Sequence, residues 1–119
     1  MEHRFKAGDF LFFQLEAGFA LARLLAVEEI ENELVWHLMA FHDLFPDVES
    51  LETAIAQGSN FDVSIPHVAL SNRAFESTQV ADIGNRPVTE QEMGLVEKWR
   101  NEAGRSALDR SIRLLTGLR

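Results

Sequence analysis

"KAGDFLFFQLEAGFALARLL", residues 6–25, is the stretch whose reading decides the fold. Gly8-Asp9 reads as a turn, and the FLFFQL that follows is rich in β-favouring Phe. Glu16-Ala17-Gly18 breaks that run. The next residues, FALARLLAV, combine Ala, Leu and Arg, all good helix formers, with a two-residue alternation. Alternation separates Phe19, Leu21, Arg23, Leu25 and Val27 from Ala20, Ala22, Leu24 and Ala26. Large side chains then fall mostly on one face and small ones on the other, as in a strand of a tightly curved sheet. Local propensity also allows a helix over 19–31, with Gly18 as a poor N-cap.

The surroundings favour the strand. A Phe-rich run followed by a Gly-bearing turn and a second apolar run has the form of a hairpin. After a turn at Glu31-Asn32-Glu33, ELVWHLMAFHDLF (33–45) again mixes β-branched and aromatic residues over strand length. Three such strands make a meander. Pro46 ends the third, because it has no N–H and restricts Phe45. DVESLETAIAQG (47–58) has the signature of a short helix: Asp47 or Ser50 as cap, Leu51, Ala54 and Ile55 as apolar stripe, Gly58 as stop. HVALS (67–71) and TQVADIG (78–84) are short strand candidates, separated by an Asn-Arg bend that is either a turn or a single turn of helix.

The clearest helix start is at Thr89, with Glu92 three residues on completing a capping box and Val88 and Met93 placed for a hydrophobic staple. Gly104 ends or kinks that helix. SALDRSIRLLTGL then predicts a second helix, with Leu108, Ile112 and Leu115 on one face and Arg105–Asp109 and Asp109–Arg113 as i,i+4 pairs. The expected fold is therefore α+β. One domain over 1–119 has a strongly bent antiparallel sheet or SH3-like partial barrel in 1–86 and a helical segment in 88–117.

Composition narrows the function. The chain has 119 residues, 46% of them hydrophobic, and no Cys, which excludes disulfides, thiolate metal sites and thiol catalysis. No apolar run is long enough to span a membrane and the first residues lack a signal-peptide core, so the cytoplasm is expected and a membrane is not. The net charge of −8 is uneven. Residues 1–97 carry five Lys/Arg against seventeen Asp/Glu, whereas residues 98–119 carry six against two. An acidic body repels phosphate backbones, so any nucleic-acid role rests on Arg105, Arg110 and Arg113. Acidic bodies suit basic protein partners, or simply solubility; a homodimer is a further option.

Catalytic patterns are weak. His37 and His42, five apart, fall on opposite faces of a strand, and neither they nor the adjacent His42-Asp43 make a metal or acid–base motif by spacing. His3 or His67 would have to be brought in by tertiary folding. No cofactor or metal is expected, and no serine or glycine-rich signature is present. A small hydrolase would need a pocket gathering His42 or His67 with carboxylates. Arg23 is more telling, since it interrupts a bulky apolar face: it sits either at the barrel rim or paired with a carboxylate such as Asp9 or Glu16. Trp36 and Trp99 serve either as interface anchors or as the seam between sheet and C-terminal helix. Candidate contact residues are thus Asp9, Arg23, Trp36, His42 and Asp43.

The opening stretch resembles a small bacterial all-β immunity-protein family of polymorphic toxin systems. The matching residues are Lys6, Gly8, Asp9, Phe10, Gly18, Phe19 and Arg23, and DIGNRPV (82–88) is similar to the family's Ile-Gly-Asn-x-Pro step. The Trp that often precedes that step is replaced in the region of Val80 and Ala81. The Gly near the end of the second strand is absent from Ala22-Arg23-Leu24-Leu25. The resemblance implies a non-catalytic protein-binding module that occludes a cognate toxin, a basic protein partner.

Overall fold

The computed structural model describes residues 4–119. Residues 19–27 are strand. β1 (Asp9–Leu15), β2 (Gly18–Ile30) and β3 (Glu33–Phe45) form a meander that continues into β4 (Val63–Ser71), and β5 (Ala81–Asn85) returns to pair with β1. The sheet is antiparallel with order β4-β3-β2-β1-β5 and does not close, so the fold is α+β with a bent partial barrel. The β2–β3 turn places Glu31 and Asn32 at φ 52° and 69°, the left-handed pair that a tight hairpin requires. Pro66 is tolerated inside β4 because β4 is an edge strand.

Both faces of the sheet are covered. The inner face gathers Ala20, Ala22 and Leu24 of β2, the first two of them small, with Leu11, Phe13, Trp36, Leu38, Val68 and Leu70. The short helices α2 (Asn72–Glu76) and α4 (Ile112–Thr116) close it with Phe75 and Ile112. The small side chains leave room there for the large rings that β1, β3 and α2 bring in. The outer face carries Phe10, Leu21 and Phe41 under Leu51 of α1 (Val48–Ala56), and Leu25 and Ala26 under Val96 of α3 (Glu90–Arg100).

One irregularity in β2 changes which side chains share a face. Leu24 pairs with Leu38 and Ala26 with His37, so Leu25 is an extra residue opposite its partner strand. A bulge of this kind reverses the alternation beyond it. Val27 therefore joins the inner core while Ala26 packs outside with Leu25, the opposite of strict alternation from residue 19.

The C-terminal segment departs from its expected helix. Gly104 has φ 72° and residues 105–111 are not helical; α4 begins only at Ile112, behind Ser111 as N-cap. Leu108 forms instead a parallel bridge with Leu70 on the edge of β4. Asp109 is bonded to Arg73 and to the Ser71 hydroxyl, contacts that replace the i,i+4 pairs with Arg105 and Arg113. Edge-strand hydrogen bonds to the backbone of Leu108 outcompete a helix that would have had only weak surface pairs to hold it.

Candidate functional site

The bulge at Leu25 also turns Glu28 outward, onto the face where β3 places His37 and β4 places His67. His37 is fully buried; its Nε2 lies 3.1 Å from Glu28 Oε1 and its Nδ1 lies 2.9 Å from His67 Nε2. The rings stack at 5.2 Å and 18°. α3 covers them: Trp99 meets His37 edge-on at 4.9 Å, and Arg100 Nε donates to Glu28 Oε2 at 2.7 Å. Arg105 lies over the Trp99 ring at 5.7 Å.

The tautomers follow from the carboxylate. Glu28 only accepts, so His37 Nε2 carries the proton. Neutral His37 then accepts at Nδ1, and His67 must donate from Nε2. A single added proton turns the pair into an imidazolium–imidazole bond; two would set N–H against N–H. Burial, with a smaller contribution from the neighbouring His37 charge, pushes His67 down to about 4. Burial likewise lowers His37, against the opposing pull of Glu28. Burial alone would raise the Glu28 carboxyl, but hydrogen bonds and charge from His37 and Arg100 together hold it below its ordinary range. The cluster is thus neutral imidazole beside a carboxylate–guanidinium pair, a packing anchor for α3 more than an exposed acid–base centre.

Arg23 is neither at a rim nor paired with Asp9 or Glu16. It is 4% exposed and pairs with Glu92 of α3, with Nε to Oε2 at 2.8 Å. Its remaining N–H groups reach the carbonyls of Gly8 at 3.0 Å, Arg86 at 2.9 Å and Pro87 at 3.0 Å. Asp9, also buried, caps the turn that precedes β1, accepting from the Lys6 amide at 2.9 Å and from Asn85 Nδ2 at 2.9 Å. Gly8 has φ 93°, and a Cβ there would run into the Arg86 carbonyl. The two sequence motifs, Lys6-x-Gly8-Asp9 and Ile83-Gly84-Asn85-x-Pro87, therefore meet in space around one guanidinium. They are separated by more than seventy residues of chain.

Trp36 is no surface anchor, and the seam it fills is between the sheet and α2, not between the sheet and the C-terminal helix. It is 3% exposed, stacks on Phe75 at 3.9 Å, and donates from Nε1 to Asn72 Oδ1 at 2.9 Å. His42 and Asp43 do reach the surface, at the far end of β3, where the Asp62 amide donates to Asp43 Oδ1 at 2.7 Å. His42 is remote from the His37–His67 pair, as the odd spacing requires. Arg105 and Arg110 stand in the irregular segment and only Arg113 is on α4, so the three share no helical face. His3 lies outside the described residues. Among the described residues no three His, Cys, Asp or Glu side chains are grouped to hold a metal ion, and no helix is long and apolar enough to cross a membrane.

The convergence of Glu28, His37, His67 and Arg100 was not legible from spacing. Its only sequence trace is a histidine at an otherwise apolar strand position, and the bulge that aims Glu28 at it leaves no mark in composition. Comparison with protein-family models, curated proteins and solved structures finds no match to this chain.

Proposed function

We propose that this chain is a non-catalytic protein-binding module that docks a basic partner through an acidic edge. The observation behind this reading is the carboxylate set at one end of the sheet. The Asp62 amide donates to the Asp43 carboxylate, and Asp47 follows as the N-cap of α1 with Glu49 and Glu52 along it. Among the described residues none of these five enters an ion pair, and all but Asp43 are exposed. His42 is exposed at the same edge. Unpaired charge of one sign steers an oppositely charged partner and selects against like-charged ones. The resemblance to immunity proteins supports the same role, with neutralisation of a toxin by occlusion as the mechanism and the cytoplasm as the place of encounter.

The test is cross-linked co-purification from the native host with wild type and with the neutral variant D43N/D47N/E49Q/E52Q/D62N. Asn caps a helix as well as Asp, so the variant keeps α1. A basic protein retained by the wild type at low salt and lost by the variant supports the reading. The same proteins recovered in the same yield with both would overturn it.

A further inference from the structure

A second surface of opposite character lies at the open end of β1. β5 covers β1 only from Asp9 to Phe12, so the rest of β1 borders open space on that side. A cavity of about 430 Å³ opens there, between β1, the start of β2, residues 78–81 and α4. Arg4 and Arg113 line it and, among the described residues, no carboxylate does. In a chain with 19 Asp/Glu against 11 Lys/Arg, that is a local reversal of sign. Among the described residues neither guanidinium has an anionic partner; the arginines that do, Arg23, Arg73 and Arg100, lie elsewhere.

The wall of the cavity is aromatic. Phe12 and Phe19 meet edge-to-face at 5.8 Å and 70°, and both remain partly exposed. Thr78 backs the same space, 6% exposed, and its hydroxyl has no hydrogen-bond partner among the described residues. A guanidinium without a protein anion keeps its planar fork for a carboxylate or phosphate, and a phenyl face accepts a flat ring. We propose that this cavity binds a small aromatic anion, its charge held between Arg4 and Arg113 and its ring against Phe12 and Phe19. The site shares no residue with the acidic edge and stands or falls independently of it.

The experiment is an amide-resolved NMR titration of the full chain with four probes: 1-naphthoate, 1-naphthyl phosphate, inorganic phosphate and 1-naphthylmethanol. Both aryl anions are expected to bind below about 1 mM and to shift Gln14, Phe19 and Gln79, with R4Q/R113Q weakening each about tenfold or more. Inorganic phosphate and the neutral alcohol are expected to bind at least about tenfold more weakly. The ratio of the two aryl anions distinguishes a carboxylate from a phosphate ligand. The proposal is overturned if neither aryl anion binds below about 5 mM, or if the shifts map elsewhere. It is equally overturned if the alcohol or bare phosphate binds as tightly as the aryl anions, or if R4Q/R113Q leaves affinity unchanged. Both arginines are exposed, so the variant should keep its fold. If its amide spectrum collapses, wild-type affinity is compared between about 0.05 M and 0.5 M salt, where a loss under twofold overturns the proposal.

Discussion

Arg23 places a full charge inside the sheet–helix interface and spends it on the backbone. Its fork satisfies three carbonyls from Gly8, Arg86 and Pro87 and one carboxylate from Glu92. Burial would raise the Glu92 carboxyl; hydrogen bonds from Arg23 and from Thr89, with the guanidinium charge, outweigh it and hold the group below its ordinary range. Removing Arg23 orphans all of these acceptors, so R23M is expected to lose about 3–5 kcal/mol in denaturant unfolding. E92Q keeps the capping box, because Gln serves at that position, and R23M/E92Q should lose less than the two single variants combined. His67 makes a different prediction at the same scale. Its ordinary value of 6.5 falls to about 4 in the fold, so the folded state prefers it neutral. Its contribution is complete above the unfolded value and is lost as pH falls from 6.5 toward 4. The slope is at most about 1.4 kcal/mol per pH unit, and less in practice because His67 is only partly buried. Unfolding midpoints measured between pH 6.5 and 5, above the range of the carboxylates, should fall in the wild type and fall less in H67Q.

At the scale of elements, α3 is pinned at both ends by polar contacts and in the middle by packing. Glu92 takes Arg23 at its N-terminal turn, Arg100 takes Glu28 at its last residue, and Val96 is fully buried between them. Thr89 and Glu92 complete the capping box that the sequence announces, which is why the start of this helix was legible and its docking was not. The segment after it behaves in the opposite way. Leu108 donates to the Ala69 carbonyl at 2.8 Å and accepts from the Ser71 amide at 2.9 Å, and Asp109 ties the same segment to Arg73 and Ser71. D109N should loosen that strap without unfolding the sheet. Amide exchange of Leu108 is expected to quicken about fivefold or more while Leu24 and Leu38 stay protected, consistent with local opening of about 1 kcal/mol.

At the scale of the whole molecule, charge is segregated. Among the described residues, carboxylates without an ion pair occupy the end of the sheet near α1, and guanidinium groups without one line the cavity near α4. A basic partner docking on the acidic edge is therefore expected to associate more slowly as salt rises from about 0.05 M to 0.5 M, with dissociation much less affected. Stopped-flow association with the purified partner measures this, and a salt-independent on-rate would remove the electrostatic part of the proposed function.

The sequence by itself determined the three strands of the meander, the turns between them, the caps of α1 and α3, and the alternation along β2 as far as Leu24; of β4 it showed only the second half, since the strand begins at Val63 in a stretch that reads as irregular. Those features arise from local sterics, backbone hydrogen bonding and side-chain size, all of which act between near neighbours in the chain. Tertiary structure alone decided what Arg23 binds, that His67 and Glu28 meet on His37, and that residues 105–111 lie against β4 instead of forming a helix. Each of those outcomes turns on groups far apart in sequence, and the meeting of Glu28 with His37 turns also on a one-residue bulge at Leu25 that reverses the faces of the rest of β2. Local propensity carries no information about such a bulge, because its energy is recovered only when α3 and β4 are packed in place.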